Sequence, residues 1–317
     1  MVKLVFCGTP RFAVPTLEAL HEAGHEIALV VSQPDRPAGR KQAIEHTPVK
    51  QAALAAGLAV MQPEKIRNNT EFRAQLEAIR PDAIIVVAYG RIIPPWMLAL
   101  PRVGCINLHA SLLPKYRGAA PIQWAVARGE TVTGNTTMLL EEGLDTGPIL
   151  LQQEVAIGPE QTAADLFEVL ATKGAPLVVE TLAGLEAGTV WPRVQDDAKA
   201  TLAPILQRDD GHMDFAAHTA TELCNRWRGF QPWPGAFAFL EGKKLAFTRL
   251  RIAPPPYPNE LPVGRPGELH VASNWLFLAC AENTWLDVRE LQPEGKRSMT
   301  AAEFLRGARL ESGKRLS

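Results

Sequence analysis

Three polar residues set the chemistry this chain can do: Asn107 and His109 in VGCINLHASLLPKYRG, and Asp145 in EEGLDTG. Asn supplies a neutral hydrogen-bond donor and His a group that titrates near neutrality. Asp supplies a carboxylate that fixes an imidazole tautomer and favours the charged ring. Converging on one carbonyl, the three would serve an acyl-group transferase or a hydrolase. The alternative is turn chemistry, since all three residue types bond to their own backbone in loops.

Such residues need elements to hold them. The apolar run VGCIN reads as a short buried strand, and Asn107 and His109, two apart at its end, fall on one side of an extended chain. Asp145 lies between glycines in GLDTG, where a tight turn can carry its carboxylate back toward the ring. VKLVFCG, the helical pattern FAVPTLEALHEAG and then EIALVVSQPD make a strand, helix, strand opening. AALAAGL and TEFRAQLEAIR add helices, and DAIIVVAYG a further buried strand ending at a glycine. This alternation predicts an α/β domain with a mostly parallel sheet. Ligands then bind beyond the C-terminal strand ends, where YGRIIP and NLHASLLP fall. Gly8 to Pro10 is a sharp turn that lacks the other glycines of a GxGxxG dinucleotide loop. ADLFEVLATKGAPLVVETLAGLEAG reads as one long helix or two short ones closing the domain, and WPRVQDDAKATLAP as a linker. Beyond it, MDFAAHTATELCNRWRGF reads as a turn and a helix, and GAFAFLEGKKLAFTRLRIA and GELHVASNWLFLACAENTWLDVREL as the strands of a small all-β domain. Trp227, Trp233 and Phe237 are expected in its core.

Bulk properties remove several classes. A chain of 317 residues is long enough for two domains, and 46% hydrophobic with 21% charged residues is a globular composition, not a disordered or fibrous one. The apolar start MVKLVF is too short for a signal-peptide core, and no apolar stretch approaches the roughly 20 residues that span a bilayer, so a cytoplasmic location is expected. Cys7, Cys105, Cys224 and Cys280 form no CxxC pair and read as structural thiols. His21 and His25 flank Gly24 without acidic ligands nearby, so no metal is expected. The net charge is -1, with an acidic excess up to Ile205 and a basic excess beyond it. That balance excludes binding nucleic acid by bulk charge and leaves local clustering.

In order and spacing, VVAYGRIIP, INLHASLLPKYRGAAPIQWA and GLDTG resemble the methionyl-tRNA formyltransferase family. The match begins at KLVFCGTPRFAVPTLEAL, runs through QPDRPAGR and TPVK, and resumes at MDF and RGFQPWPGAF, so it covers both halves of the chain. The Asn, His and Asp set alone would indicate only the wider folate-dependent formyltransferase superfamily. The resemblance implies transfer of the formyl group of 10-formyltetrahydrofolate, a cosubstrate, to the amino group of methionine on initiator tRNA. It also implies a Rossmann-like formyltransferase domain at residues 1–190, a linker at 191–207 and, at 208–317, a C-terminal tRNA-binding β-barrel of oligonucleotide-binding type, with no obligate protein partner.

By the same resemblance Asn107, His109 and Asp145 take the catalytic positions, and no serine or cysteine nucleophile is required because the incoming amine is one. Ser111, Leu112, Leu113 and Pro114 match a stretch at the folate site, with Tyr89, Gly90, Arg91 and Ile92 as another wall. Arg36, Arg40 and Lys41 lie in a projecting Gly and Pro loop that approaches the tRNA acceptor end. Lys115 and Arg117 stand near the folate stretch, where folate carboxylates, tRNA phosphates and solvent are open alternatives. Arg226 and Arg228 are candidates for a nucleic-acid face. One departure stands out: where the family has a mostly apolar TGVTIM-like strand, this chain has TGNTTMLLEEG, with Asn135, Glu141 and Glu142. A formyltransferase acting on a sugar nucleotide or other small amine would keep the catalytic set without needing the basic loop or the C-terminal domain. A formyl-folate hydrolase would instead need water held where the amine binds, and a non-catalytic RNA-binding role for the second domain would leave the N-terminal polar set unexplained.

Overall fold

The computed structural model describes residues 1–38, 43–308, 310 and 312–317. Two compact units result: Met1–Pro121 with Val132–Ala156 and Asp165–Pro204, and Ile122–Thr131 with Ile157–Ala164 and Ile205–Ser317. Of the expected linker 191–207, residues 191–204 belong to the first unit and 205–207 to the second.

In chain order the first unit contains β1 (Lys3–Gly8), α1 (Val14–Glu22), β2 (Glu26–Val31), a hairpin of β3 (Arg36–Ala38) and β4 (Ala43–Glu45), α2 (Pro48–Ala55) and β5 (Val60–Met61). It continues with α3 (Thr70–Ile79), β6 (Ala83–Val87), α4 (Pro95–Leu98) and β7 (Gly104–His109). Helix α5 (Pro121–Ala127) falls almost wholly in the second unit, after which β8 (Val132–Leu139), β9 (Ile149–Ala156) and most of α6 (Ala163–Ala187) complete the first. The sheet order is β5-β2-β1-β6-β7-β8-β9, parallel as far as β7 and antiparallel through β8 and β9.

Continuous apolar runs dictate this arrangement. AIIVV of β6 is buried at every position, as a strand covered on both faces must be. Val5, Cys7, Ile84, Val86 and Cys105 meet Phe72 and Leu76 of α3 and Met97 of α4 in one cluster. Each such side chain contributes about 1.5–3 kcal/mol on leaving water. Helix α3 starts where the Asn69 side chain accepts from the Phe72 N–H at 2.9 Å and stops at Arg80, which sits at φ 52°. Burial pushes the Cys105 thiol up to about 12, in keeping with a packing role.

Strand β8 explains the polar departure from the family pattern. Asn135 is fully buried and donates to the Leu170 carbonyl of α6 at 2.9 Å, while Thr137 meets Thr181 of the same helix at 2.8 Å. The alternate residue Thr136 points to the other face, toward Ser111. Glu141 and Glu142 are exposed.

The second unit contains α7 (Ala220–Gly229), β10 (Phe237–Leu240), β11 (Lys243–Ile252), α8 (Tyr257–Glu260), β12 (Leu269–Ala272), β13 (Trp275–Ala279), β14 (Trp285–Pro293), β15 (Met299–Thr300) and α9 (Ala301–Ala308). Its antiparallel sheet runs β10-β11-β14-β13-β12, with β15 on β14. A capping box opens α7: Glu222 N–H donates to Thr219 Oγ1 at 3.3 Å and Thr219 N–H returns to Glu222 Oε2 at 2.7 Å. Leu223 of that helix joins Leu245, Phe247, Leu278, Leu286 and Val288 in the core. The expected β-barrel of oligonucleotide-binding type is instead a half-barrel, because among the described residues the edge strands β10 and β12 do not pair with each other. Instead the segment at 314–317 bonds to both edges: Phe239 N–H donates to Ser317 O at 2.7 Å and Leu269 N–H to Lys314 O at 2.8 Å. Trp227 packs on this core and Phe237 is buried, but Trp233, expected beside them, is 55% exposed. Among the described residues no helix is long and apolar enough to cross a membrane.

Candidate active site

Strands β6 and β7 are parallel, with Val86 opposite Asn107, so the segments after Val87 and His109 leave the sheet at one edge. Asn107 is partly exposed, and among the described residues its carboxamide has no hydrogen-bond partner. Two residues on, His109 is 6% exposed, with Nε2 2.9 Å from the Tyr116 carbonyl and Nδ1 3.8 Å from Asp145 Oδ2. A carbonyl only accepts, so Nε2 carries a proton. The 3.8 Å separation exceeds a hydrogen bond, so the Nδ1 edge is not bonded to Asp145 Oδ2.

Asp145 has left-handed backbone, φ 52°, which costs a non-glycine residue energy unless neighbours hold it. Its Oδ2 accepts from the Gly118 N–H at 2.8 Å, and its carbonyl accepts from Gln195 Nε2 at 2.8 Å. Gly118 must be glycine: φ is +123°, and a Cβ would stand 2.5 Å from the Ala203 carbonyl.

The proposed folate stretch is pinned from behind. Ser111 Oγ donates to Lys115 O at 2.7 Å, and Thr136 Oγ1 donates to Ser111 O at 2.6 Å while accepting from Leu113 N–H at 3.1 Å. Gln152 Nε2 reaches the Leu113 carbonyl at 2.9 Å, and the Leu113 side chain packs with Met138 and Ile149. Ser111 and Leu113 are therefore interior residues, and Leu112 and Pro114 carry the accessible surface. Tyr89 is likewise a core residue whose phenol burial pushes above its ordinary value and whose hydroxyl has no partner among the described residues. Its carbonyl accepts from Thr9 Oγ1 at 3.1 Å and Gln33 Nε2 at 3.0 Å. Gly90 (φ +77°) lets Gln33 approach to a place a Cβ would fill, and Arg91 donates to the Glu64 carbonyl. Ile92 is 90% exposed, and among the described residues the N–H groups of Gly90 and Ile92 carry no backbone bond. Open donors and an apolar side chain fit the edge and face of a flat heterocycle.

The basic candidates divide by environment. Arg36 lies on β3 with its side chain 68% exposed, paired to Glu64 at 3.2 Å. Arg40 and Lys41 lie outside the described residues. Lys115 is exposed. Arg117 is buried and committed to Gln195 Oε1 at 3.1 and 2.8 Å and to Asp197 Oδ1 at 2.7 Å, a placement unlike a solvent-facing phosphate contact. Arg226 is half-buried, donates to the Asp210 carbonyl at 2.9 Å and lies 5.0 Å over the Phe230 ring. Arg228 is buried and bonds the carbonyls of Gly158 and Gln161 at 3.1 and 2.9 Å, which suits a brace within its unit and not a nucleic-acid face.

Beside the basic hairpin, Asp35 is a hub absent from the sequence-derived site. It accepts from Lys50 Nζ at 2.6 Å, Gln62 Nε2 at 2.7 Å and the Thr47 N–H at 3.3 Å, and meets His46 Nδ1 at 2.8 Å. Burial opposes its charge, but these bonds outweigh burial and hold the carboxyl well below the usual range. A depressed folded-state value stabilises fully above the unfolded value of about 3.9, and that contribution is lost as pH falls through the folded-state value. Asp35→Asn is expected to lower the melting temperature by roughly 4 °C at pH 7, with a smaller gap at pH 3. Thermal unfolding at both pH values checks this; an equal gap at the two would show that charge is not what Asp35 supplies.

Residues missed in the sequence include Thr136, Gln152 and Gln195. Adjacent threonines within a buried strand were a signal for Thr136, whereas nothing around Gln195 marks it. Among the described residues no group of three or more His, Cys, Asp or Glu could hold a metal ion.

Residues 2–182 match the family model for formyl transferase, and residues 205–309 that for the formyl transferase C-terminal domain. A methionyl-tRNA formyltransferase of Acidobacterium capsulatum is 65% identical over 315 residues, covering 99% of either chain. One of Koribacter versatilis is 55% identical over 313 residues, covering 99% of this chain and 98% of its own. A solved N-formyltransferase of Helicobacter canadensis, in complex with folinic acid and dTDP-3-aminofucose, has a TM-score of 0.66 at 18% identity, covering 92% of this chain and 100% of that one, a likeness of fold. With two family models spanning both units and relatives of this identity over nearly the whole length, the chain belongs to the methionyl-tRNA formyltransferase family.

Proposed function

We propose that the chain transfers the formyl group of 10-formyltetrahydrofolate to the amino group of methionyl-initiator tRNA, giving N-formylmethionyl-tRNA and tetrahydrofolate for translation initiation, a cytoplasmic process. The observation that carries the chemistry is the open carboxamide of Asn107 two residues from an imidazole flanked by the Tyr116 carbonyl and the Asp145 carboxylate. The methionine nitrogen bonds to the formyl carbon, the bond from that carbon to folate N10 breaks, and a proton passes from the amine to N10. Negative charge gathers on the formyl oxygen during attack. Asn107 donates to that oxygen, and the Nδ1 edge of His109 donates to it or takes the amine's proton. Asp145 keeps the ring in place and supports its charge. For folate we assign the surface of Ile92, Leu112 and Pro114 with the backbone donors of Gly90 and Ile92, Tyr89, Ser111 and Leu113 supporting it from beneath. The half-barrel keeps one feature of the oligonucleotide-binding reading, an antiparallel sheet, and we assign the tRNA body to its unit, Arg226 included.

A formyl-transfer assay offering charged initiator tRNA, free methionine and a small amino sugar, each with formylated folate, tests the reading. Turnover with the charged tRNA alone is expected; preference for the amino sugar would move the chain to the small-amine class. For the hairpin, Arg36→Ala combined with Arg40→Ala is expected to weaken tRNA binding tenfold or more while leaving folate binding within about twofold, with the tRNA loss shrinking at high salt. The exposed Arg36–Glu64 pair contributes little by itself, so Arg36 can exchange that partner for a phosphate. Titrations of both ligands at two salt concentrations decide it, since equal weakening of both would remove the hairpin from the tRNA site.

A further inference from the structure

We propose that Gln195 is a positioning residue for formyl transfer, fixing the Asp145 turn to the Arg117–Gly118 loop and so setting where the Asp145 carboxylate stands against His109. The inference rests on the reading just given. Gln195 is 7% exposed, and both ends of its carboxamide are used. Nε2 donates to the carbonyls of Asp145 at 2.8 Å and Gly147 at 2.7 Å. Oε1 accepts from Arg117 Nε at 3.1 Å and Nη2 at 2.8 Å. Carbonyls only accept and a guanidinium only donates, so just one orientation of the amide satisfies all four groups.

These bonds close a ring. From the Asp145 carbonyl it runs through Gln195 to the Arg117 side chain, along one peptide to the Gly118 N–H, and back to the Asp145 carboxylate at 2.8 Å. The adjoining residue, Tyr116, supplies the carbonyl that holds His109 Nε2 at 2.9 Å. Asp145 is thus tied by main chain and side chain to the loop that also orients the imidazole. Its left-handed backbone needs such ties.

A merely structural role would make Gln195 the anchor of the 193–203 segment, but that segment is held without it. Arg193 and Ile149 exchange two backbone bonds at 2.8 Å, Arg117 N–H donates to Thr201 O at 2.8 Å and Ala203 N–H to Arg117 O at 2.7 Å. Tyr116 N–H also reaches Thr201 Oγ1 at 2.8 Å. Removing the carboxamide therefore loosens the Asp145 turn while the segment stays in place.

The test is steady-state formyl transfer by Gln195→Leu and Gln195→Glu, each alone and in the Asp145→Asn background, with melting curves and a pH-rate profile. Gln195→Leu is expected to lower kcat by about thirtyfold through misplacement of a reacting group, with the folate KM changed less than about threefold. Gln195→Glu keeps an acceptor for Arg117 but turns an oxygen toward the Asp145 and Gly147 carbonyls, so it should fall as far. In the Asp145→Asn background Gln195→Leu should cost less than about threefold more, because the group it positions is already disabled. Its pH-rate profile should change as that of Asp145→Asn does. A folded Gln195→Leu with wild-type kcat, a Gln195→Glu with full turnover, or losses that multiply in the double variant would overturn the assignment. A wild-type chain that does not formylate the charged tRNA would overturn both this inference and the reading beneath it.

Discussion

Asn107→Ala and His109→Ala are each expected to cut turnover by roughly a hundredfold or more while the protein stays folded and still binds folate. Loss of one preorganised donor to a developing oxyanion costs on the order of 3 kcal/mol, which is a factor of about a hundred in rate. Asn107 has no intramolecular partner among the described residues, so its truncation leaves no buried group unpaired and the cost falls on catalysis. His109 differs, because its removal also takes away a donor to the Tyr116 carbonyl. His109→Gln, which can still donate to that carbonyl, separates the two effects. Single-turnover rates and folate titrations on each variant provide the check. Wild-type turnover in a folded Asn107→Ala would remove that residue from the oxyanion site.

Asp145→Asn should lower kcat by an amount between tenfold and about ten-thousandfold, the upper figure being the loss seen when the carboxylate behind a catalytic histidine is replaced by an amide. The substitution keeps shape, so the Gly118 N–H can still find an oxygen and the left-handed turn persists. What disappears is the negative charge facing Nδ1. The rate profile against pH should therefore change in midpoint as well as height. A profile lower in height but unmoved in midpoint would mean that Asp145 shapes the turn without acting on the imidazole.

Much of the candidate site is legible in the sequence alone. Buried strands announce themselves by apolar runs, as AIIVV of β6 and GCINLH of β7 do, and period-two spacing is enough to set Asn107 and His109 on one side of a strand. The turn at Asp145 was legible because GLDTG carries a glycine at each end; in the structure their missing side chains leave room for Thr146 and the Leu139 carbonyl, while the left-handed residue is Asp145 itself. Motif order then separated this chain from other users of the same Asn, His and Asp set. All of these are local properties or one-dimensional patterns, and local sterics and side-chain chemistry suffice to encode them.

Tertiary structure decided what depends on the far end of a bond. Arg117, Arg226, Arg228 and Lys115 look alike as letters, yet Arg228 is buried on two backbone carbonyls and Arg117 on Gln195 and Asp197, while Lys115 faces solvent. A basic residue's role follows from its partners, which lie about 70 or more residues away for those two arginines. Whether the second unit closes as a barrel was equally invisible, since closure depends on whether β10 and β12 meet, and neither strand's alternation reports on the other. WPRVQDDAKATLAP reads as a linker because it is polar and carries proline, but its polar groups bond to Asp145, Gly147 and the 116–118 loop. Composition registers polarity and does not say whether water or protein satisfies it. Gln195 shows this most clearly: a lone glutamine carries no signal in sequence, and only the fold brings its amide between Asp145 and Arg117.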